Sequence, residues 1–162
     1  MGWFTGRALR EGPPGAKEDT MGTTLNSYLN FRGNARDAME FYKEVFGGTL
    51  TISTYAESHA STDASEDALV MHADLEGPDG IRLMAADVPN RMEFHAGNNF
   101  SLSLSGESED ALRAYFDQLS SGGAVTMPLE KAPWGDTFGM CTDRFGTQWL
   151  VNVNAPKEAG VS

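Results

Sequence analysis

Cysteine and basic residues are scarce in this sequence of 162 residues. The single cysteine, Cys141, cannot form an internal disulfide, which favours a reducing compartment. Only 12 lysines and arginines stand against 23 aspartates and glutamates, which gives a formal net charge of -11. This excess of negative charge repels phosphate backbones and anionic lipid surfaces. The composition therefore argues against a nucleic acid or a membrane as a partner.

Long apolar runs are lacking as well. No segment approaches the roughly 20 residues that a helix needs to cross a bilayer, and the first residues lack the apolar stretch of a secretory signal. We therefore expect a cytoplasmic protein. Residues 1–22 contain Gly-Pro-Pro-Gly and no periodic apolar pattern, which predicts a disordered extension with Met21 as an alternative start.

The segment from residue 134 to residue 154 predicts a β-hairpin with strands at 138–142 and 147–153. Gly146 suits the turn because glycine adopts a positive φ without steric cost. In the second strand, apolar residues alternate with more polar ones, which is the period of a half-buried strand.

The hairpin has an earlier counterpart, because residues 69–74 resemble residues 138–143 and residues 80–84 resemble residues 146–150. Two amphipathic helices repeat in the same way, each after an N-cap residue and each ended by a glycine pair. Corresponding helix positions differ by 74 residues, as in the pairs Asn34 with Ser108, Phe41 with Tyr115, Tyr42 with Phe116, Val45 with Leu119 and Gly48 with Gly122. An internal repeat of this kind indicates two similar modules.

These patterns predict an α+β fold in which two βαβββ modules form a curved mixed sheet with the helices on its convex face. The predicted strands are at 24–31, 50–55, 69–75 and 81–86, then 100–105, 124–127, 138–142 and 147–153. The predicted organisation is a disordered extension at 1–22, a first module at 23–88, a linker at 89–98, a second module at 99–155 and a tail at 156–162.

Two segments carry a resemblance to a known family: YLNFRGNARDAMEFYKEVFGG at 28–48 and WGDTFGMCTDRFGTQWLVN at 134–152. Together with the repeat, they resemble the vicinal oxygen chelate superfamily, which includes glyoxalases, bleomycin resistance proteins and extradiol dioxygenases. Within it, the chain is most similar to the PhnB-like branch. The resemblance covers residues 25–154 and implies the fold more specifically than the function, because one scaffold hosts unrelated chemistries.

The resemblance also implies where a metal would lie. The superfamily's metalloenzymes hold a divalent ion with His or Glu side chains from the first and last strands of each module. The corresponding positions here are Ser27, Met84, Ser101 and Leu150, and none is a usual ligand for Zn, Ni or Fe. A shift of one residue brings no better donor. We therefore expect no metal and no cofactor.

If those positions face the concavity, strand alternation extends the same inner surface. The predicted ligand-binding residues are Ser27, Arg82, Met84, Ser101, Ser103, Gln148 and Leu150, with Ala86 and Asn152 on the same surface and Trp134 on a loop that closes over a planar ligand. Apolar walls with a few polar groups and one cation are typical of a small-molecule site. The alternative is that these residues fill a closed core and that Trp134 anchors its loop.

His72 is the candidate catalytic residue. The alternation of apolar residues along its strand places it on the face opposite the packed side, where it could act as a general base. The alternative is a histidine that is hydrogen-bonded within the sheet or faces solvent. A thiol nucleophile at Cys141 with His72 as its base is a further hypothesis, against the usual inert buried cysteine. His59 and His95 are predicted at the surface, and no spacing motif joins His95 with His72 and Asp87 as metal ligands.

Three functional hypotheses follow. The first is a metal-free homodimer that binds a small aromatic or cationic molecule. The second is a lyase, isomerase or dioxygenase that uses His72 or an unrecognised metal site. The third is a dimeric domain without a small ligand, in which the concavity is filled.

Overall fold

The computed structural model describes residues 22–156, which form two modules of the same construction. The first module comprises β1 (Ser27–Phe31), α1 (Ala35–Phe46), β2 (Thr49–Thr54), β3 (Val70–Glu76) and β4 (Arg82–Asp87). The second comprises β5 (Leu102–Gly106), α2 (Glu109–Ser120), β6 (Ala124–Lys131), β7 (Thr137–Thr142) and β8 (Gln148–Val153). The predicted extension, apart from residue 22, and the predicted tail, apart from residue 156, lie outside the described residues.

The strands form two mixed sheets of four strands, in the orders β1-β4-β3-β2 and β5-β8-β7-β6. In each sheet the first strand of the module runs parallel to the last one, and the other pairs are antiparallel. No strand pairing joins the two sheets within residues 22–156. The predicted α+β class with two βαβββ modules is confirmed, with the strands divided between two sheets.

The two helices form because each presents one apolar stripe to a core. In α1 the stripe predicted at Ala38, Phe41, Tyr42 and Val45 is buried, and in α2 Leu112, Phe116 and Leu119 are buried. Gly48 follows α1 with a φ of +98°, and a Cβ there would lie 2.1 Å from the carbonyl oxygen of Glu76. Only glycine fits this close approach, which lets the chain turn from the C-cap residue Gly47 into β2.

One core connects the modules, because side chains of α1 pack on the second module. The ring of Tyr42 lies 5.8 Å from that of Trp149 on β8, and the ring of Phe46 lies 5.7 Å from it. Phe46 also lies 5.0 Å from Tyr115 of α2. Neither module therefore buries its helix stripe alone, in agreement with the sequence-based expectation.

The N-terminus of α1 is capped from a distance. Asn34 occupies the N-cap position, but its side chain accepts no hydrogen bond from the helix. The buried carboxylate of Asp87, at the end of β4, instead accepts hydrogen bonds from the backbone N–H groups of Gly33 and Ala35 at 2.8 and 3.0 Å. The predicted role of Asn34 as the capping side chain is therefore wrong, whereas Ser108 does cap α2 through the N–H of Ala111.

Strand β6 is longer than predicted, since it continues through Pro128 to Lys131. Proline has no N–H to give to a ladder, so it is tolerated on an edge strand. Among the described strands β6 lies at the edge of its sheet and pairs with β7 alone, through two register shifts. No helix within residues 22–156 has the length and apolarity to span a bilayer.

Candidate functional site

Each sheet has one face that packs on the helices and one face that the helices leave uncovered, which we call its open face. The alternation is clearest in β1 and β4, where Leu29 and Leu83 are buried while Tyr28 and Met84 are not. The open face of the first sheet carries Tyr28, Asn30, His72, Asp74, Arg82, Met84 and Ala86. The open face of the second sheet carries Ser103, Ser105, Phe138, Met140, Gln148, Leu150 and Asn152.

Ser27 does not lie on the open face as predicted, although it lines a cavity of about 360 Å³ together with the predicted residues Arg82 and Ser103. Ser27 pairs with Leu83 on the side that faces the helices, and its hydroxyl donates to the carbonyl oxygen of Arg82 at 3.0 Å. Tyr28 is the residue opposite Met84, and Ser103 is the residue opposite Leu150. Ser101 precedes β5, and its hydroxyl lies 3.5 Å from the side-chain oxygen of Gln148.

The error has a simple cause in the connections between strand and helix. Three residues separate β1 from α1, whereas two residues separate β5 from α2. The offset of 74 residues that relates the helices is therefore 75 residues between β1 and β5. Because side chains alternate between the faces of a strand, this single residue moves the predicted position to the other face.

The central positions of the open faces do not fit the metal that the resemblance implies. Tyr28, Met84, Ser103 and Leu150 offer a phenol, a thioether, a hydroxyl and an alkyl group, which are not the His and carboxylate donors of such a site. In the part of the chain that the structure describes, no three His, Cys, Asp or Glu side chains are close enough to hold a metal ion.

His72 lies on the open face of the first sheet, beside Tyr28. The Tyr28 hydroxyl is 3.2 Å from Nδ1 of His72, and the two rings are 5.8 Å apart. Desolvation, and after it the neighbouring Tyr55, raise the pKa of Tyr28, so its hydroxyl keeps its proton at neutral pH. Sequence reasoning selected His72 and missed its partner.

The predicted cation of the surface, Arg82, is already paired. Its Nε and Nη2 atoms donate to the two carboxylate oxygens of Asp74 at 3.0 and 2.6 Å. Hydrogen bonding from Arg82, with the charges of Arg82 and His72 as smaller contributions, lowers the pKa of Asp74. The guanidinium charge is thus compensated, and the open face of the first sheet presents mainly neutral groups.

We expect Asp74→Asn to lower the free energy of unfolding at pH 7 by no more than about 1 kcal/mol, because the Arg82 side chain is 46% exposed and the pair is screened. The folded-state pKa of Asp74 is depressed, so the ion pair stabilises the protein above the unfolded pKa and is lost as the pH falls through the folded pKa. Urea unfolding at pH 7 and at a series of lower pH values measures this. The gap between the variant and the wild type should shrink as the pH falls below the unfolded pKa, and a gap that is as large in acid as at pH 7 would contradict the electrostatic explanation.

The open face of the second sheet combines apolar and hydrogen-bonding groups. Phe138 and Met140 lie opposite Asn152 and Leu150, respectively. Trp134 is 63% exposed on the preceding loop, and its ring lies 5.7 Å from that of Phe138 at an angle of 63°. Phe138 and Met140 were missed, although their alternation with Gly139 and Cys141 was a usable signal.

The other chemically active residues lie apart from these faces. Cys141 is 1% exposed on the helix-facing side of the second sheet, and desolvation by burial raises its pKa to about 11. The hypothesis of a Cys141 nucleophile with His72 as its base is therefore wrong. The carboxylate of Asp87 is buried at the N-terminus of α1, and His59 and His95 are exposed in loops.

Comparison with known proteins identifies a family and solved structures that share this fold. Residues 24–151 match the model of the Glyoxalase/Bleomycin resistance protein/Dioxygenase superfamily. Protein YjdN of Escherichia coli (strain K12) is 28% identical over 140 residues, which cover 80% of this chain and 94% of that protein. The crystal structure of PA1353 from Pseudomonas aeruginosa is 33% identical with a TM-score of 0.73, covering 83% of this chain and all of that one. The PhnB protein of Bacillus cereus is 27% identical with a TM-score of 0.64, covering 82% and 100%.

Proposed function

The chain belongs to the glyoxalase/bleomycin resistance protein/dioxygenase superfamily, and from this we propose that it binds a small aromatic or cationic molecule on its open faces without a metal. The supporting observation is the chemistry at their centres, where Tyr28 lies opposite Met84 and Ser103 opposite Leu150. Apolar walls with few hydrogen-bonding groups are typical of small-molecule sites.

Aromatic rings on both open faces support a planar ligand. Tyr28 and His72 form one pair of rings, and Trp134 and Phe138 form another. Stacking on such rings contributes about 0.5–1.5 kcal/mol beyond the burial of area. The net charge of -11 would also attract a basic ligand over long distances.

We further propose that the protein is a cytoplasmic homodimer in which a second copy helps to enclose the ligand. Ligand sites bury most of their ligand, whereas an open face by itself is a surface. Tyr28 is 44% exposed, and Val125 and Met127 on the edge strand β6 are 48% and 46% exposed. Such half-exposed apolar groups favour association with another copy of the chain.

Elemental mass spectrometry and light scattering on untagged protein test the metal and the assembly together. We expect far less than one metal ion per chain and a mass of about twice 17.5 kDa. One tightly bound metal ion per chain would overturn the metal-free proposal. A mass of a single chain at micromolar concentration would overturn the homodimer.

Binding is tested with tryptamine and indole, which are aromatic probes with and without a positive charge. A specific ligand at a hundredfold excess over its Kd should raise the free energy of unfolding by about 2.7 kcal/mol. Leu150→Arg should abolish this effect by filling the open face with a cation, while Gln118→Arg on the exposed side of α2 should preserve it. Equal responses of both variants would place binding elsewhere.

The hydrogen bond between Tyr28 and His72 favours one alternative, a lyase or isomerase in which His72 moves a proton. A dioxygenase would need a metal that the central residues do not fit. Stoichiometric binding without turnover supports the binding protein. Turnover that His72→Gln abolishes while binding persists would support the enzyme.

A further inference from the structure

A separate cavity of about 250 Å³ lies where the connection between β4 and β5 passes over the end of β1 and the start of β8. Its walls come from residues 29–34, residues 94–100 and residues 145–148. We call it the seam pocket, since both modules and their connection contribute to it. Asn30 and Gln148 at the ends of the open faces also line it, whereas Tyr28 and Leu150 at their centres do not.

The electrostatic character of the seam pocket differs from that of the chain. Although the sequence has 23 acidic residues, no aspartate or glutamate belongs to the lining. Its polar side chains are four carboxamides, one guanidinium and one hydroxyl, namely Asn30, Asn34, Asn98, Gln148, Arg32 and Thr147. The carboxamides and the hydroxyl can donate or accept a hydrogen bond, whereas the guanidinium is a cation that only donates, so the one charge in this lining favours an anion.

Arg32 is positioned but not neutralised. Its Nη2 atom donates to the carbonyl oxygen of Met92, and its guanidinium carbon lies 5.7 Å from the centre of the Phe94 ring. The two ion pairs found among residues 22–156 are formed by other arginines, Arg82 and Arg113. A guanidinium has five N–H donors in a planar fork that matches a carboxylate. Most of these donors remain for a ligand.

The apolar part of the seam pocket consists largely of phenylalanine rings. Phe100 is 54% exposed although it lines the cavity, and the rings of Phe145 and Phe31, which both line it, are 6.5 Å apart. Rings of this kind pack well on another aromatic ring. The volume of about 250 Å³ is just below the lower end of roughly 300 Å³ for typical ligand sites, which fits a ligand with one ring.

We propose that the seam pocket binds a small aromatic carboxylate, whose carboxylate pairs with Arg32 and whose ring packs among the phenylalanines. The guanidinium of Arg32 can bind a carboxylate through two hydrogen bonds, and the phenylalanine rings offer an apolar surface to an aromatic ring. The seam pocket therefore selects for a ligand that has both groups. This site goes beyond the function proposed for the open faces. Binding at the seam pocket does not depend on binding at the open faces.

The test is a titration of the full chain with benzoate, followed by the backbone amide signals in ¹H–¹⁵N NMR spectra. We expect shifts at residues 94–100 and 145–148, and at least tenfold weaker binding of benzamide and benzylamine. Arg32→Gln should raise the Kd for benzoate at least tenfold. Arg36→Gln, on the exposed side of α1, removes the same charge and should leave the Kd unchanged.

Arg32→Lys is a second variant that separates loss of binding from a folding defect. It keeps the positive charge but loses the planar fork of N–H donors. Its Kd for benzoate should lie between the values of the wild type and Arg32→Gln. The proposal is overturned if benzoate causes no shifts at the seam pocket, or if Arg32→Gln binds as the wild type does. Shifts confined to the open faces would also overturn it while leaving the proposed function intact.

Discussion

Replacing Asp143 with alanine is expected to lower the free energy of unfolding by about 3–5 kcal/mol. This carboxylate is 3% exposed and accepts four hydrogen bonds. Oδ2 accepts from the hydroxyl of Tyr42 at 2.7 Å and from Nε1 of Trp149 at 2.9 Å. Oδ1 accepts from the N–H groups of Phe145 and Thr147 at 2.9 and 3.1 Å. Alanine would leave these donors buried without this acceptor.

Urea unfolding followed by circular dichroism measures this effect. Asp117→Ala, at an exposed position of α2, is the control and should stay close to the wild type. Tyr42→Phe removes one donor and should cost about 1 kcal/mol. The double variant Asp143→Ala with Tyr42→Phe should be destabilised by less than the sum, because no phenol is then left without the carboxylate. A loss below about 1 kcal/mol for Asp143→Ala would contradict this role.

Asp143 also shows which part of a residue's role a sequence reveals. The sequence analysis assigned it to a turn, and its bonds to the N–H groups of Phe145 and Thr147 are the local bonds of such a turn. Its bond to Tyr42 spans 101 residues and joins the two modules. No periodicity in the sequence encodes a contact between two such distant side chains.

The elements themselves were predictable because their signals are local. The helix stripes, the glycine at Gly48 and the strand alternation each depend on neighbours within a few residues. The open faces were harder, because they depend on register. One residue of difference between the two strand-to-helix connections placed Ser27 where Tyr28 belongs, and with Tyr28 the partner of His72 was lost.

Charge on the candidate site was misjudged for a related reason. Arg82 was counted as a cation available to a ligand, whereas its partner Asp74 lies on the adjacent strand of the same sheet face. Arg32, which the sequence did not single out, carries no such partner among residues 22–156 and lines the seam pocket. Whether a charge is available depends on its neighbours across strands, which the sequence alone does not list.

The capping of α1 leads to the second large prediction. Asp87→Ala should lower the free energy of unfolding by about 2–4 kcal/mol, whereas Asn34→Ala should change it by less than about 0.5 kcal/mol. Asp87 is 2% exposed, and besides Gly33 and Ala35 it accepts a hydrogen bond from the N–H of Val70 at 2.9 Å. Its loss leaves three N–H groups without this acceptor.

Asp87→Asn distinguishes the carboxylate from the shape of the side chain. The amide keeps the volume and one acceptor oxygen, so its stability should fall between those of the wild type and Asp87→Ala. Hydrogen exchange gives a local readout. The amides of Gly33, Ala35 and Val70 should all lose protection in Asp87→Ala, only part of them should lose it in Asp87→Asn, and all should keep it in Asn34→Ala. If Asn34→Ala is the more destabilising change, the side chain of Asn34 caps α1 and the carboxylate of Asp87 does not.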